Sequence, residues 1–378
     1  MISTIAVLGA GKVGGCIAET LSEKYSVIVA DRADEVLQRF KNNKKIRTIE
    51  CDLSGDISGI KILSEADLFV GAVPGWMGFS LMQKLALFGK PVVDISFFPE
   101  DARLLDVLYK EHHALLIPDA GVAPGLSNFI LGYYNSLLPL HSFMCYVGGL
   151  PKERIYPHEY TAPFSPIDVI EEYTRPARYI TDGIIVTDEA LSAPEMISFD
   201  GVGELEAFNT DGLRSLLHTI KLDNMKEMTL RYPKHAEYMR FLKAAGFFDS
   251  SQIQINGAFF TPRDFTAKIL TDGWKGKPGY DEFTVLRIDM SFKVGERDKT
   301  LRCDLYDERD YKTNFTSMER TTGFTCCSFV ELIHEGLTGG EGVLFPEYLP
   351  NDKNIYERVI GYLRSLGIKI SFTESFVS

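Results

Sequence analysis

The segment Gly9-Ala10-Gly11-Lys12-Val13-Gly14 restricts the fold of this chain more than any other part of the sequence. Its spacing is G-x-G-x-x-G, a pattern that is weak on its own. Here it follows the apolar residues 2–8, which predict a buried strand, and it precedes residues 16–24, which predict a helix. A strand, a glycine turn and a helix in this order predict the start of a dinucleotide-binding βαβ unit.

Each glycine of this loop has its own physical reason. Gly9 permits the tight turn, Gly11 lets the backbone approach a pyrophosphate, and Gly14 lets the helix pack closely on the strand. The free N–H groups at the start of the helix, together with its dipole, attract phosphate. Lys12 and Val13 complete the predicted phosphate-binding loop.

An acidic residue, Asp31, ends the second predicted strand at residues 26–30, about 20 residues after the loop. Its carboxylate is expected to accept hydrogen bonds from ribose hydroxyls and to repel a 2′-phosphate, which favours NAD over NADP. The adjacent Arg32 is a residue type that can hold a 2′-phosphate, so NADP remains the alternative.

Short apolar runs continue to alternate with helical stretches up to about residue 121. Strands are predicted at 47–51, 67–72, 91–95 and 114–118, with helices at 33–45 and 78–88. This rhythm predicts a parallel, doubly wound sheet, which binds ligands at the carboxyl ends of its strands. The further residues predicted to contact the cofactor there are Asp52, Ala72, Val73, Pro74, Asp94, Ser96 and Gly121.

The pattern changes after residue 121 and predicts a second domain. Segments 142–150, 178–187, 195–208, 253–260 and 283–294 have alternating or β-branched character and predict strands of a mixed or antiparallel sheet. Helices are predicted again at 324–335 and 354–366. The predicted fold class is α/β, with a Rossmann doubly wound parallel sheet and a second α/β domain built on a mixed sheet.

Composition narrows the class of partner. The net charge of −12, without a basic block, argues against nucleic acid and against anionic membranes. No apolar stretch reaches the roughly 20 residues of a membrane span, and no basic region precedes an apolar run at the N-terminus. Six cysteines without a C-x-x-C pair and seven scattered histidines predict reduced thiols, a cytoplasmic protein and no metal site.

Five segments resemble a known family. They are 119–128 (Asp-Ala-Gly-Val-Ala-Pro-Gly-Leu-Ser-Asn), 146–151, 170–178, 210–214 and 320–324. In these segments the chain resembles the saccharopine dehydrogenase-like family and, within it, the lysine 6-dehydrogenases. Gly125-Leu126-Ser127-Asn128 differs from the Gly-Ile-Asp-His of saccharopine-cleaving members. Thr161, within residues 160–166, departs from the family pattern because relatives often have a lysine there.

The resemblance implies an NAD-dependent oxidative deamination. The expected substrate is a free amino acid, first of all L-lysine, whose ε-amine would become an imine that hydrolyses to ammonia and an aldehyde, which cyclises to a piperideine carboxylate. The resemblance also implies a homodimer, a Rossmann domain at 1–122 joined by a returning segment at 318–378, and a substrate domain at 123–317. Two alternatives stay open: a saccharopine or carboxynorspermidine-type dehydrogenase acting on a secondary amine, and a non-catalytic NAD-binding sensor.

In amine oxidation, a carboxylate near the amine can bind the ammonium and help remove its proton. Asp119 is the first candidate because it ends a predicted strand, and Glu172, beside Glu171, is the second. Arginine pairs with a carboxylate through two parallel hydrogen bonds. The predicted substrate-binding residues are Arg175, Asp211, Arg214 and Thr322. For Arg178 a structural ion pair is expected, and an intrahelical pair with Asp211 is the alternative role of Arg214.

Overall fold

The structure of the protein is a computed structural model that describes residues 2–162, 166–274 and 279–376. The chain divides into two compact units. The first comprises residues up to 136 together with 319–368, and the second comprises residues 137–318 together with those from 369 onward. These limits differ from the expected 1–122 with 318–378, and 123–317.

The first part of the chain alternates strands and helices. The strands are β1 (Thr4–Leu8), β2 (Ser26–Asp31), β3 (Ile46–Glu50), β4 (Leu68–Gly71), β5 (Val92–Asp94) and β6 (Leu115–Ile117). The helices are α1 (Lys12–Ser22), α2 (Asp34–Leu37), α3 (Gly75–Ala86), α4 (Asp106–Glu111) and α5 (Leu126–Leu137). The predicted helix at 33–45 is reduced to α2 and a short 3-10 turn at Gln38–Phe40.

The middle of the chain contains most of the second unit. Its strands are β7 (Leu140–Pro151), β8 (Ala177–Thr181), β9 (Ile184–Asp188), β10 (Glu195–Phe199), β11 (Gly203–Asn209), β12 (Asn224–Arg231), β13 (Ile253–Ile255), β14 (Ala258–Phe260), β15 (Glu282–Val294) and β16 (Arg297–Glu308). Its helices are α6 (Pro166–Thr174), α7 (Leu216–Thr219), α8 (His235–Ala244) and α9 (Pro262–Trp274). The chain then continues through α10 (Ser317–His334), β17 (Gly342–Val343), α11 (Lys353–Ser365) and β18 (Lys369–Phe376).

The sheet of the first unit is parallel and has the strand order β17-β6-β5-β4-β1-β2-β3. The order reverses between β1 and β4, so the ligand-binding crevice expected of a doubly wound sheet lies at the carboxyl ends of these two strands. The core on one side of this sheet packs aromatic and aliphatic side chains such as Phe69, Leu81 and Phe98, all fully buried.

The second unit contains a mixed sheet. Its main path is β10-β11-β12-β7-β15-β16-β18, and β8 pairs with both β12 and β9. Only the β12–β7 pair is parallel among the described pairs. A separate two-stranded sheet consists of β13 and β14. The predicted α/β fold, a doubly wound parallel sheet plus a second domain with a mixed sheet, is confirmed.

Three predicted strands are hairpins. Segment 178–187 turns at Asp182 (φ 49°) and Gly183 (φ 74°), and 253–260 turns at Asn256 (φ 51°) and Gly257 (φ 85°). Asp-Gly and Asn-Gly are the dipeptides of tight hairpin turns because both central residues adopt positive φ. Segment 195–208 similarly folds back through residues 200–202 into β10 and β11.

The C-terminal segment differs from the predicted returning segment at its end. Gly323 of α10 lies against Cys16 of α1, whose Sγ would be 3.3 Å from a Cβ on that glycine, and Tyr25 donates to Glu331 at 2.8 Å. By contrast, β18 pairs antiparallel with β16 and so extends the sheet of the second unit. Residues 369–376 therefore belong to the second unit because their backbone hydrogen bonds are made there.

No described helix is both long and apolar enough to cross a bilayer. Five of the six cysteines are buried, and Cys51 is half-buried.

Gly132 of α5 gives the first prediction, because a Cβ there would lie 2.0 Å from the carbonyl oxygen of Glu347. Gly132→Ala should lower stability to urea by about 1–3 kcal/mol, since the backbone of Glu347 must move. Gly361→Ala in α11 is the control. Its Cβ meets nothing within 4 Å, so stability should stay level or rise by about 0.5–1 kcal/mol. Equal stability of the two variants would contradict the close contact.

Candidate functional site

The glycine loop lies between β1 and α1 and shows two kinds of glycine. A Cβ at Gly9, which has φ +105°, would lie 2.3 Å from the carbonyl oxygen of Ala72, and one at Gly14 would lie 2.1 Å from that of Gly9. These two glycines are required by packing. A Cβ at Gly11 would meet nothing within 4 Å. The open space at Gly11, where α1 begins, fits a pyrophosphate approaching the amides of the first helical turn.

Asp31 joins the end of β2 to this loop. Its carboxylate accepts hydrogen bonds from the backbone N–H of Ala10 at 2.7 Å and of Ala33 at 2.9 Å. The sequence predicted only a ribose contact and missed this bracing of the loop. A carboxylate has about four lone-pair positions, so two amides leave room for ribose hydroxyls.

Asp52 is exposed at the end of β3 and accepts from the N–H of Ser54 at 2.9 Å and its hydroxyl at 2.7 Å. These Ser54 hydrogen bonds lower the pKa of Asp52, and the nearby Arg32 contributes less. Arg32 and Asp52 thus lie on the side of the unit where the adenosine end of a dinucleotide is expected.

Asp94 is the last residue of β5, Ser96 follows that strand, and both side chains are buried. The Ser96 hydroxyl donates to Asp94 at 2.9 Å, and a Cβ on Gly71 would lie 2.1 Å from the carboxylate. Asp94 therefore fills space inside the unit beside β4. Of the predicted segment at the end of β4, Ala72 is half-buried, Val73 is buried and Pro74 is exposed.

Asp119 follows β6 and is 4% exposed. Its φ of 53° is in the left-handed region, which Asp tolerates better than most residues. The next amide, Ala120, donates to the carbonyl of Asp94 at 2.8 Å, which ties this turn to β5. Thr322 of α10 lies against Gly121, with its methyl 3.5 Å from where a Cβ would be. The carboxyl ends of β5 and β6 thus hold Asp119, Gly121 and Thr322 in the first unit.

Arg175, Arg178 and Arg214 come together in the second unit around Asp211. Arg178 donates to both carboxylate oxygens of Asp211, at 2.9 and 2.8 Å, so the structural ion pair expected for Arg178 is formed. Burial lowers the pKa of Arg175, and the neighbouring Arg214 lowers it further. The guanidinium groups of Arg175, Arg178 and Arg214 therefore lie close enough to affect one another's charge.

Asp211, predicted to bind substrate, is therefore a counter-ion to Arg178. The alternative role of Arg214, an intrahelical pair with Asp211, is wrong because neither residue lies in a helix. Helix α7 begins only at Leu216, and Arg214 has a φ of 53°.

Glu172 lies on the sheet-facing side of α6 and contacts β12. Its carboxylate accepts from the Thr229 hydroxyl at 2.5 Å and pairs with Arg231 at 3.4 Å. Arg231 is 4% exposed and stacks on Tyr160, 4.3 Å from the ring centroid. Sequence reasoning missed Arg231 because residues 224–231 were not predicted as a strand.

The predicted site residues fall into two groups. The first unit contains the cofactor loop, Asp31, Arg32, Asp52, Asp94, Ser96, Asp119, Gly121 and Thr322. The second unit contains Glu171, Glu172, Arg175, Arg178, Asp211 and Arg214. Thr161 is half-buried, whereas residues 163–165 of the same motif lie outside the described residues. The described residues contain no group of three His, Cys, Asp or Glu placed to hold a metal ion.

Comparison with known proteins shows that both parts of the chain match domains of one family. Residues 5–117 match the model of the saccharopine dehydrogenase NADP binding domain, and residues 121–368 match that of the saccharopine dehydrogenase C-terminal domain. The fold is similar to that of apo saccharopine dehydrogenase (L-Glu forming) from Saccharomyces cerevisiae, with 19% identity, a TM-score of 0.79 and coverage of 100% of both chains.

A curated relative is the mitochondrial alpha-aminoadipic semialdehyde synthase of Rattus norvegicus, which is 24% identical over 193 residues. That match covers 48% of this chain and 21% of the rat protein. The two family models together cover nearly the whole sequence and confirm the resemblance seen in its motifs. The chain therefore belongs to the saccharopine dehydrogenase family of NAD(P)-binding oxidoreductases.

Proposed function

We propose that the protein oxidises a carbon–nitrogen bond of an amino acid, with NAD(P) as hydride acceptor. The observation that carries this proposal is the polar cluster of the second unit. There, Arg214 is close enough to Arg175 for its charge to lower the pKa of Arg175, and Glu172 is three residues before Arg175. Guanidinium groups bind carboxylates and a carboxylate binds an ammonium, so the cluster is suited to the head group of an α-amino acid.

Arg178 is held by Asp211 through two hydrogen bonds, and Arg175 lies 3.5 Å from the carboxylate of Glu171. We assign Arg175 and Arg214 to the substrate carboxylate, because guanidinium groups pair with carboxylates through two parallel hydrogen bonds. Glu172 is only partly buried, so it is the carboxylate that accepts hydrogen bonds from the substrate ammonium.

The cofactor is held in the first unit. The amides at the start of α1 bind the pyrophosphate, Gly11 leaves space for it, and Asp31 binds the ribose hydroxyls. We assign NAD as the preferred form because the carboxylate of Asp31 repels a 2′-phosphate. Arg32 is the feature that supports NADP, and the family model named for NADP supports it as well.

Asp119 is the residue we assign to the reacting amine. Hydride can leave the carbon only when the nitrogen carries a lone pair, so the ammonium must first lose a proton. Asp119 lies at the carboxyl end of a parallel strand, where this fold binds its ligands, and its carboxylate accepts that proton. Because Asp119 is buried, little water competes with the substrate amine for its carboxylate.

Two substrates are proposed in order. L-Lysine is the first, from the motif at 125–128, and its oxidation would release ammonia. A saccharopine-type secondary amine is the second, and one observation favours it. Three arginines lie around Asp211, and a substrate with a single carboxylate would not need so many. The whole-length likeness to the yeast saccharopine dehydrogenase supports the same alternative.

The experiment that separates these functions is a screen for NADH or NADPH formation at alkaline pH, with L-lysine, saccharopine, other amino acids and polyamines. Release of ammonia identifies primary-amine oxidation, and release of a second amino acid identifies cleavage of a secondary amine. Binding of NAD(P) without turnover of any of these would leave the sensor alternative instead.

Gly11→Val should abolish cofactor binding while thermal stability stays near the parent, because the side chain enters the space needed by the pyrophosphate. Gly14→Ala is the contrasting variant. Its Cβ would lie 2.1 Å from the Gly9 carbonyl oxygen, so it should lower stability directly. Calorimetric titration with NAD and thermal unfolding measure the two effects. Unchanged NAD affinity in Gly11→Val would remove the loop as the phosphate site.

Asp31→Ser should reduce the preference for NAD over NADP by roughly tenfold or more, since a hydrogen bond to a charged group is worth about 1.5–3 kcal/mol. Both dissociation constants should be measured in parent and variant. Arg32→Gln is the companion variant and should weaken only NADP. If the parent bound NADP as tightly as NAD, the assignment of Asp31 would be wrong.

Asp119→Asn should lower kcat by about 10²–10⁴-fold, the usual contribution of a general base, with NAD affinity close to the parent. Asn suits this test because it also tolerates the positive φ of this position. Glu172→Gln should instead raise KM for the amino acid. Full turnover by Asp119→Asn together with loss of kcat in Glu172→Gln would transfer the role of base to Glu172.

A further inference from the structure

A chain of hydrogen bonds extends from Glu172 into the buried interior of the second unit. Arg231 donates through Nε to the hydroxyl of Tyr173 at 3.2 Å, and that hydroxyl lies 2.9 Å from Nε2 of His235. Arg231 also reaches the hydroxyl of Tyr160 at 3.4 Å. The carboxylate of Glu172 is therefore the outer, half-buried end of a network whose other side chains are buried.

The inner end of this network is electrically neutral. Burial lowers the pKa of His235 to about 3, and the charge of Arg231 adds to this effect. Burial also raises the pKa of Tyr160 to about 12. A neutral His235 that hydrogen-bonds the backbone of His158 has Nε2 free to accept from Tyr173, which turns the Tyr173 oxygen toward Arg231.

Arg231 is consequently fixed on every side. It is held by the ring of Tyr160, by the Tyr173 hydroxyl and by the carbonyl of Leu230, to which Nη1 donates at 2.9 Å. The Nη2 atom of this guanidinium lies 3.4 Å from the Tyr160 hydroxyl and 3.4 Å from one oxygen of the Glu172 carboxylate. The second oxygen of that carboxylate is held by Thr229, whose hydroxyl also lies 2.9 Å from that of Thr210.

We propose that Arg231 and Thr229 are positioning residues for substrate binding: they hold the carboxylate of Glu172 in one orientation to accept the ammonium of the amino-acid substrate. This inference rests on the proposed function, which gives Glu172 that role. The charged and titratable groups placed against Glu172 are Arg231 of β12, Tyr160 before α6 and Tyr173 of its own helix. Arg231 is the cation among them.

The alternative is that Glu172 serves only as the counter-ion that lets Arg231 be buried. In that case the pair contributes to folding, and its loss would lower stability without a specific effect on substrate binding. The two roles differ in what happens to KM when the contacts of Glu172 are removed.

The test compares Thr229→Val and Arg231→Lys with the parent, by KM, kcat and thermal stability, with L-lysine and saccharopine as substrates at saturating NAD. Thr229→Val removes one donor to Glu172, and Arg231→Lys keeps the charge but loses the fixed fork. Both should raise KM at least several-fold while kcat stays within about twofold.

Thr284→Val is the matched control, because it removes a buried hydroxyl of the same sheet that lies 2.9 Å from Ser317. It should lower stability to a similar extent and leave KM unchanged. Arg231→Met, if it folds, should exceed Arg231→Lys in its effect on KM. If it does not fold, Thr229→Val decides.

Two results would overturn the inference, and they are distinguishable. If Glu172→Gln raises KM while Thr229→Val and Arg231→Lys behave as Thr284→Val does, Glu172 binds substrate without this support. If Glu172→Gln itself leaves KM unchanged, the proposed role of Glu172 fails, and the positioning role fails with it.

Discussion

In the second unit, the packing of α6 against β12 depends on the buried positive charge of Arg231. Removing the guanidinium of Arg231 from water costs several kcal/mol unless hydrogen bonds and an opposite charge compensate it. The protein meets this requirement with two tyrosine hydroxyls, a backbone carbonyl and the carboxylate of Glu172, taken from α6, β12 and the segment before α6. These elements must be in register for any of the contacts to form, so the charge selects one packing of helix on sheet.

The first unit depends on a different constraint, the close approach of backbone to backbone. Gly9 and Gly14 let the loop after β1 touch the end of β4, and Asp31 braces the same loop through two amides. The result is a rigid start to α1 with open space at Gly11. Packing and ligand binding thus use different glycines of one short motif, a division that the motif alone does not reveal.

Much of this could be predicted from the sequence. The alternation of strand and helix up to residue 121 specifies the parallel sheet, because a fully buried parallel strand needs a continuous apolar run. The hairpins at Asp182-Gly183 and Asn256-Gly257 were missed although their turn dipeptides are visible in the sequence. The commitment of Asp211 to Arg178, and the burial of Asp94, could not be predicted because each depends on a partner distant in sequence or on backbone direction. Arg231 was missed for a similar reason: its partners lie 58 to 71 positions away.

The route of the chain has a consequence for how the protein is made. The parallel sheet of the first unit is completed by β17, which pairs with β6 more than two hundred positions earlier, and the sheet of the second unit is completed by β18. Closing such long loops costs entropy that is recovered only when both ends are present. During synthesis from the N-terminus, strands β1–β6 therefore leave the ribosome with an unpaired edge at β6 and wait for almost the entire remaining chain. Residues 137–318 are translated in this interval, so the order of synthesis favours folding of most of the inserted unit before the unit that surrounds it in sequence is complete.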